Sequence, residues 1–181
     1  ILARKTLMGA KKNTSKVKRF VVGVAGAPGS GKSTRAKQVV HIINAIQGEE
    51  CAVMVPMDGY HYTKAQLDEF EDPKEAHARR GAHWTFDAEG FVSTVEHIAQ
   101  HTDECIYAPT FDHGQGDPVD RGVCIERHHG IVIVEGNYVL LDTEPWNRLR
   151  HVCHETWFID CDIEESMKRV YTRQTRNGTP P

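Results

Sequence analysis

Gly26, Gly31, Lys32 and Ser33 stand in the spacing G-x-x-x-x-G-K-[ST] within the run Gly26-Ala-Pro-Gly-Ser-Gly-Lys-Ser-Thr34. That pattern suits polyphosphate chemistry. Glycines let successive backbone N–H groups curl towards one anion, and a helix starting there adds the positive end of its dipole. The Lys32 ammonium supplies a mobile charge for outer phosphates, and the Ser33 hydroxyl is placed to ligate Mg²⁺. Gly26, Ala27, Pro28, Gly29, Ser30, Gly31, Lys32, Ser33 and Thr34 are therefore the candidate phosphate cradle. Two acids can extend it. Glu135 closes the run Ile131-Val-Ile-Val134, where a carboxylate can hold Mg²⁺ or its waters opposite the phosphates. Asp58 follows Ala52-Val-Met-Val-Pro56 and could orient and deprotonate an acceptor hydroxyl. On residues alone, Asp58-Gly59 also fits a plain turn and Glu135-Gly136 a polar exit from a sheet.

The elements that must position these groups follow from apolar patterning. Phe20 to Ala25 is a short Val-rich strand, and Lys32 to Gln47 carries Ala36, Val39, Val40, Ile43 and Ile46 at helical spacing before Gly48. Strands are also expected at Cys51–Pro56, Glu104–Ala108, Gly130–Glu135 and Thr156–Asp160. Helices are expected at Pro73–Arg80, at 88–100 with Asp87 as cap, at Pro145–His151 and at Ile163–Arg176. Pro109 to Asp120, with Gly114, Gly116 and Pro118, reads as an irregular loop. Apolar strands alternating with helices predict a three-layer α/β/α fold, a parallel sheet flanked by helices on both faces. Ligands of such sheets bind at the carboxyl ends of the strands, which selects the glycine loop, Asp58 and Glu135 as neighbours.

Composition bounds the rest. The 181 residues suit one domain, with no apolar run long enough for a membrane span. Five cysteines lack any C-x-x-C pair; Cys51, Cys105 and Cys161 sit at strand edges as expected small buried hydrophobes, and a reducing compartment fits. Net charge is −3, yet no acid precedes Glu49 while ten Lys or Arg do. Seven of those, from Arg4 to Arg19, precede the first strand. Residues 1–18 are accordingly expected to be a flexible, solvated basic leader, and 19–181 the folded domain. The leader keeps a mitochondrial address open beside the expected cytoplasmic one. Nucleic-acid binding would rest on this leader alone and is not expected. Among eleven histidines, only His128-His129 and His151/His154 stand close in sequence, so no zinc cluster is expected.

Together, Gly26 to Thr34, Met57-Asp-Gly-Tyr-His61, Ala78-Arg-Arg-Gly81 with Trp84-Thr-Phe-Asp87, Pro109-Thr-Phe-Asp-His113 and Val134-Glu-Gly-Asn-Tyr138 resemble one group of P-loop kinases. It is the phosphoribulokinase, uridine kinase and bacterial pantothenate kinase superfamily. The resemblance is nearest to the nucleoside- or fructose-kinase-like branch that includes the yeast Yfh-type ATPase, and it covers Arg19 to Gly178. It implies a P-loop NTPase fold, ATP and Mg²⁺ as cofactors, Asp58 as general base, and Ser33 with Glu135 at the metal. It also implies an acceptor pocket lined by Arg80 and His113, where Tyr60 and His61 of the second motif are further candidates. Arg169 and Arg173 resemble the arginines of a lid over ATP; four residues apart, they share one helix face and can reach phosphate oxygens together, while the set Lys168, Arg169, Arg173 and Arg176 also fits a solvated helix face. The superfamily's elements after the lid would lie beyond Pro181, so the domain is expected to lack its C-terminal part.

The leading expectation is an ATP-dependent kinase acting on a hydroxyl of a small metabolite (a nucleoside, a sugar or a pantothenate-like acceptor). Lys32, Asp58 and Arg173 would carry the transfer. The alternative is a P-loop ATPase or nucleotide-dependent switch working through a protein partner, which needs no second small-molecule pocket. The acceptor's identity is not written in the sequence, and a homodimer stays open.

Overall fold

Chain order in the computed structural model, which describes residues 1–12 and 18–176, is α1 (Leu2–Lys12), β1 (Phe20–Gly26), α2 (Lys32–Gln47), β2 (Ala52–Pro56), α3 (Lys64–Leu67), α4 (Pro73–Ala78), α5 (Ala88–Gln100), β3 (Ile106–Asp112), β4 (Asp117–Ile125), β5 (Ile131–Gly136), β6 (Glu155–Ile159) and α6 (Ile163–Arg176). Short 3₁₀ turns lie at Met57–Tyr60, His83–Thr85 and Trp146–His151. Four strands form a parallel sheet in the order β2-β5-β1-β6. β1 and β5 are buried along their full length, as continuous apolar runs demand.

Alternation along the strands divides the core into two layers. Val21, Ala25, Val132 and Val134 face Phe91, Val92, Val95 and Ile98 of α5, together with Trp146 and Leu149. Val22, Val24, Ile131 and Ile133 face Ala36, Val39 and Ile43 of α2, with Ala3 and Leu7 of α1. Each fully buried Val, Ile or Phe contributes about 1.5–3 kcal/mol. The sheet is thus covered on both faces, the three-layer α/β/α arrangement of a P-loop fold.

Helix ends match their sequence signals. Asp87 accepts the Gly90 N–H at 2.9 Å to cap α5, and Gly48 closes α2 with φ 73° and an N–H bond to the Asn44 carbonyl at 2.9 Å.

Two expectations need correction, and one buried charge was not foreseen. First, residues 1–12 are not a solvated leader: α1 buries Ala3, Thr6 and Leu7, and Leu7 and Ala3 pack in the layer under α2. Its basic residues stay on the outer side, which is why the charge count hid the amphipathic stripe. Residues 13–17 lie outside the described residues, as do 177–181. Second, Arg19 is 1% exposed. Its guanidinium donates to the carbonyls of His129 (3.0 Å), Ile98 (3.2 Å), Glu126 (3.1 Å) and His101. One side chain therefore ties the start of β1 to the end of α5 and the turn before β5. Third, Pro109 to Asp120 is mostly an antiparallel hairpin, in which Phe111 pairs with Pro118 and Asp112 with Asp117. Asp112 accepts the Gly114 N–H at 2.7 Å, and Gly116 takes φ 72° at the return. Pro109 falls at the register irregularity between Ala108 and Thr110, one of the few places a strand admits proline. All five cysteines are free thiols, and Cys105 is exposed rather than buried.

Candidate active site

The loop between β1 and α2 is built from glycines at left-handed angles, Gly29 with φ 80° and Gly31 with φ 86°. Such angles suit glycine and turn successive amides inward. Among the described residues no side chain caps α2, whose first position is Lys32, so the amides of its first turn are open to a ligand. From the other side α6 clamps the loop: the Ser166 hydroxyl donates to the Pro28 carbonyl, and an Arg169 guanidinium N–H reaches the Gly29 carbonyl at 3.3 Å.

Sheet register explains how the acids arrive. Glu135 pairs with Val24 of β1 and Pro56 of β2, at the carboxyl ends of three adjacent strands. It points to the same side of β5 as Ile133, the α2 side, and there accepts a hydrogen bond from the Ser33 hydroxyl at 3.0 Å. Glu135 is 3% exposed. Burial first, then the Asp58 charge, raises its pKa above the usual carboxylate range, while Lys32 and the Ser33 bond oppose the shift. Lys32 is 8% exposed; burial lowers its pKa and Arg173 adds to this, while Glu135 and Asp58 pull it back up. A buried hydroxyl–carboxylate pair facing a second acid is an oxygen donor set that suits a hard divalent cation such as Mg²⁺, and the free amides beside it suit a polyphosphate.

Asp58, in the 3₁₀ turn directly after β2, lines two adjoining spaces. One, of about 310 Å³, also meets Ser33, Lys37, Phe111, His113 and Glu135. The other, of about 530 Å³, runs from Pro28, Gly29, Lys32 and Ser33 to Asp58, His61, Arg80, Phe111, His113, Asn137 and Arg173. A third cavity, of about 520 Å³, opens over Gly29 to Arg35 with Gln38, Arg169 and Arg173. The loop, both acids, His61, Arg80, His113 and the two α6 arginines thus line three spaces that share walls at Ser33, Asp58 and Arg173; the Arg176 side chain lies outside the described residues.

Individual residues differ in how free they are. His61 sits between the rings of Phe86 (4.0 Å) and Phe111 (4.8 Å), with Nδ1 2.8 Å from the Asp58 carbonyl. Burial lowers its pKa, so the neutral imidazole is favoured. Arg80 lines the cavity, yet its guanidinium is already bonded to the carbonyls of Gly116 (2.5 Å) and Tyr62 (2.7 Å) and to Asp117 (2.7 Å). It anchors the β3–β4 hairpin over the site. Tyr60 needs correction: it is 7% exposed, its ring packs edge-on against Phe91 at 5.1 Å, and it belongs to the α5 core layer rather than to the cavity wall. Phe86 is core as well, while Trp84 is partly exposed.

Sequence reasoning missed several lining residues. Lys37 stands four positions after Ser33, hence on the same face of α2, and its charge acts on Glu135. Asn137 follows Glu135-Gly136, lines the larger space and keeps a buried Oδ1 with no hydrogen-bond partner among the described residues. Phe111 enters both spaces because the hairpin, read as loop, carries it there.

Comparison with known proteins follows the same lines. The model of the phosphoribulokinase / uridine kinase family matches residues 21–176. A Schizosaccharomyces pombe protein with the provisional name uridine kinase is 47% identical over 129 residues, 71% of this chain and 55% of that protein. The ATP-dependent kinase YFH7 of Zygosaccharomyces rouxii is 30% identical over 178 residues, 83% of this chain and 48% of its own length. The chain therefore spans about half the length of these curated relatives. Among solved structures, a Silicibacter protein provisionally described as a fructose transport system kinase superposes with a TM-score of 0.84 at 28% identity, covering 99% of this chain and 84% of the other.

Proposed function

The chain belongs to the phosphoribulokinase / uridine kinase family, and from that premise we propose that it transfers the γ-phosphoryl group of ATP to a hydroxyl of a small metabolite. One observation carries the reading: Ser33 and Asp58 line both of two adjoining cavities, one running from Lys32 of the phosphate loop to His61 and His113, the second bounded by Glu135, Phe111 and His113. A phosphate-binding loop alone would not need the second chamber.

In this reading the amides of Gly29 to Ser33 and the Lys32 ammonium hold the phosphate oxygens, and Ser33 with Glu135 would hold Mg²⁺. When bound, the ion supplies charge neutralisation at the transferring group. Asp58 accepts the proton from the acceptor hydroxyl as the new O–P bond forms and the β-phosphate oxygen leaves. Arg173, aimed into the cavity, covers the charge that spreads over the phosphoryl oxygens. The acceptor chamber joins aromatic faces to two imidazoles, which suits a neutral polyhydroxyl compound such as a nucleoside or sugar.

The test is ATP turnover by the chain with Mg²⁺ against a panel of nucleosides, sugars and hydroxy acids. One class should accelerate ADP release and appear as its phosphate ester, and Asp58→Asn should lower that rate by about 10²–10⁴-fold while nucleotide affinity holds. ATP hydrolysis that no metabolite accelerates, and that Asp58→Asn leaves unchanged, would sink the kinase reading in favour of a switch.

A further inference from the structure

A cluster remote from the phosphate loop combines residues the sequence did not single out. His97, His101 and Glu104 fall at the end of α5 and in the turn that follows, and one ligand atom from each lies within 4.8 Å of the others. We propose that these three side chains form a surface site for one zinc-type divalent cation.

The geometry argues for it in three ways. His97 stands in the last turn of α5 and His101 is the residue that closes it, and the backbone there brings their ring centroids to 4.0 Å. Glu104 then folds back, with Oε1 2.7 Å from His97 Nε2. Two ligands at about 2.0–2.1 Å from a tetrahedral ion stand about 3.4 Å apart, so atoms already within 4.8 Å of one another need close by at most about 1.4 Å. Second, His101 Nδ1 lies 3.1 Å from the His97 carbonyl. With the proton on Nδ1 donated there, Nε2 is left bare, the arrangement that ligating histidines adopt with a backbone acceptor behind them. Third, the site lies at the negative end of the α5 dipole, with Asp103 beside it. Arg19 fastens that same helix end through the Ile98 and His101 carbonyls, so both imidazoles hang from a fixed backbone. As a bare ion pair, His97–Glu104 would be worth little, since both side chains are about half exposed (45% and 50%). Two imidazoles and one carboxylate, leaving a fourth position to water, are the donor set of zinc rather than of Mg²⁺.

The experiment is a calorimetric titration of the chain with zinc chloride, run in excess Mg²⁺ to fill the Ser33–Glu135 position and with C105S and C124S in place to remove nearby thiols. One zinc per chain is expected, with affinity falling at least about tenfold in H97A and in H101A. Cu²⁺ used as a spectroscopic probe should show two nitrogen ligands by electron paramagnetic resonance, reduced to one in H101A. Both variants change exposed positions, and their metal-free circular dichroism should match the parent. The proposal fails if no saturable zinc is bound, or if zinc binds with the same affinity when both histidines are replaced.

Discussion

Replacing Gly59 by Ala separates position from chemistry at the site. A Cβ on Gly59 would stand 2.2 Å from the Pro109 carbonyl oxygen, 2.4 Å from its carbon and 2.9 Å from the Thr110 nitrogen. All three are backbone, so no side chain can swing away. Ordinary contact begins at 3.4 Å, so the 3₁₀ turn and β3 must part by about 1.2 Å, the difference between 3.4 and 2.2. Overpacking of this kind costs about 1–3 kcal/mol. Because Asp58 precedes Gly59 in that turn and β3 carries Phe111 into the chamber, the separation misplaces the acceptor relative to the phosphate loop. A misplacement near 1 Å costs about 10²-fold in rate. Metabolite-stimulated ADP release should therefore fall about 100-fold, while binding of a fluorescent ATP analogue at the loop stays within about twofold. Gly48→Ala is the control: with φ 73° and nothing within 4 Å it carries strain of about 1 kcal/mol far from the site, and turnover should hold. Equal loss of turnover in the two variants would mean that stability, not geometry, set the rate. Full turnover in Gly59→Ala would refute the argument outright.

Other outcomes follow from particular contacts. Arg19→Leu removes the donor to four carbonyls and should destabilise the fold by at least about 3 kcal/mol in urea titration; a loss below about 1 kcal/mol would mean that water replaces the guanidinium. Arg173→Ala should weaken nucleotide binding or turnover about 10–100-fold, whereas Arg169→Ala, whose guanidinium is engaged with Glu165 at 2.9 Å, should change it less than about threefold; the reverse order would reassign the two. His129 is held below the ordinary imidazole range, by burial before any charge, and its Nδ1 accepts the Glu126 N–H at 2.8 Å only while neutral. A base with a lowered folded pKa binds more protons unfolded, so its contribution to stability is present above the unfolded value near 6.5 and is lost as pH falls below it, at no more than about 1.4 kcal/mol per pH unit. Urea midpoints across pH 5–8 should accordingly fall less steeply on acidification in His129→Gln than in the parent. Parallel curves would remove His129 as the cause.

What the sequence made legible was whatever local pattern decides. The glycine loop, α2 from Lys32 to Gln47, the Asp87 cap and the runs ending at Pro56 and Glu135 depend on residues a few positions apart, and all lie where pattern and cap chemistry put them. The hairpin was not legible, since pairing of Phe111 with Pro118 is set by the turn at Asp112 to Gly116, while its prolines and glycines read as loop. The burial of Arg19 was not foreseen and Tyr60 was misplaced for one reason. A charge or hydroxyl says what a group can do in water, but only the surrounding carbonyls or rings decide whether it is buried. The His97–His101–Glu104 grouping was overlooked because its spacing matters only once α5 is known to run through His97 and to end at Gln100.

Gly29 shows how phosphate binding and closure can be one constraint. Its φ of 80° requires the backbone freedom of glycine. Yet a Cβ there would also stand 2.4 Å from the Ser166 carbonyl, so the missing side chain is what lets α6 rest on the loop. That seat places Ser166 on the Pro28 carbonyl and Arg169 on the Gly29 carbonyl, and it brings Arg173, one helical turn on, to the space that Lys32 also lines. In the proposed function a phosphate in the loop would meet Arg173 because of this contact, while the same contact sets Arg169 on the loop's own carbonyl. The two arginines that look equivalent by spacing are therefore unequally placed, one bonded to the loop and the other lining the larger space with Lys32, because a glycine beneath them fixes how closely the helix can approach.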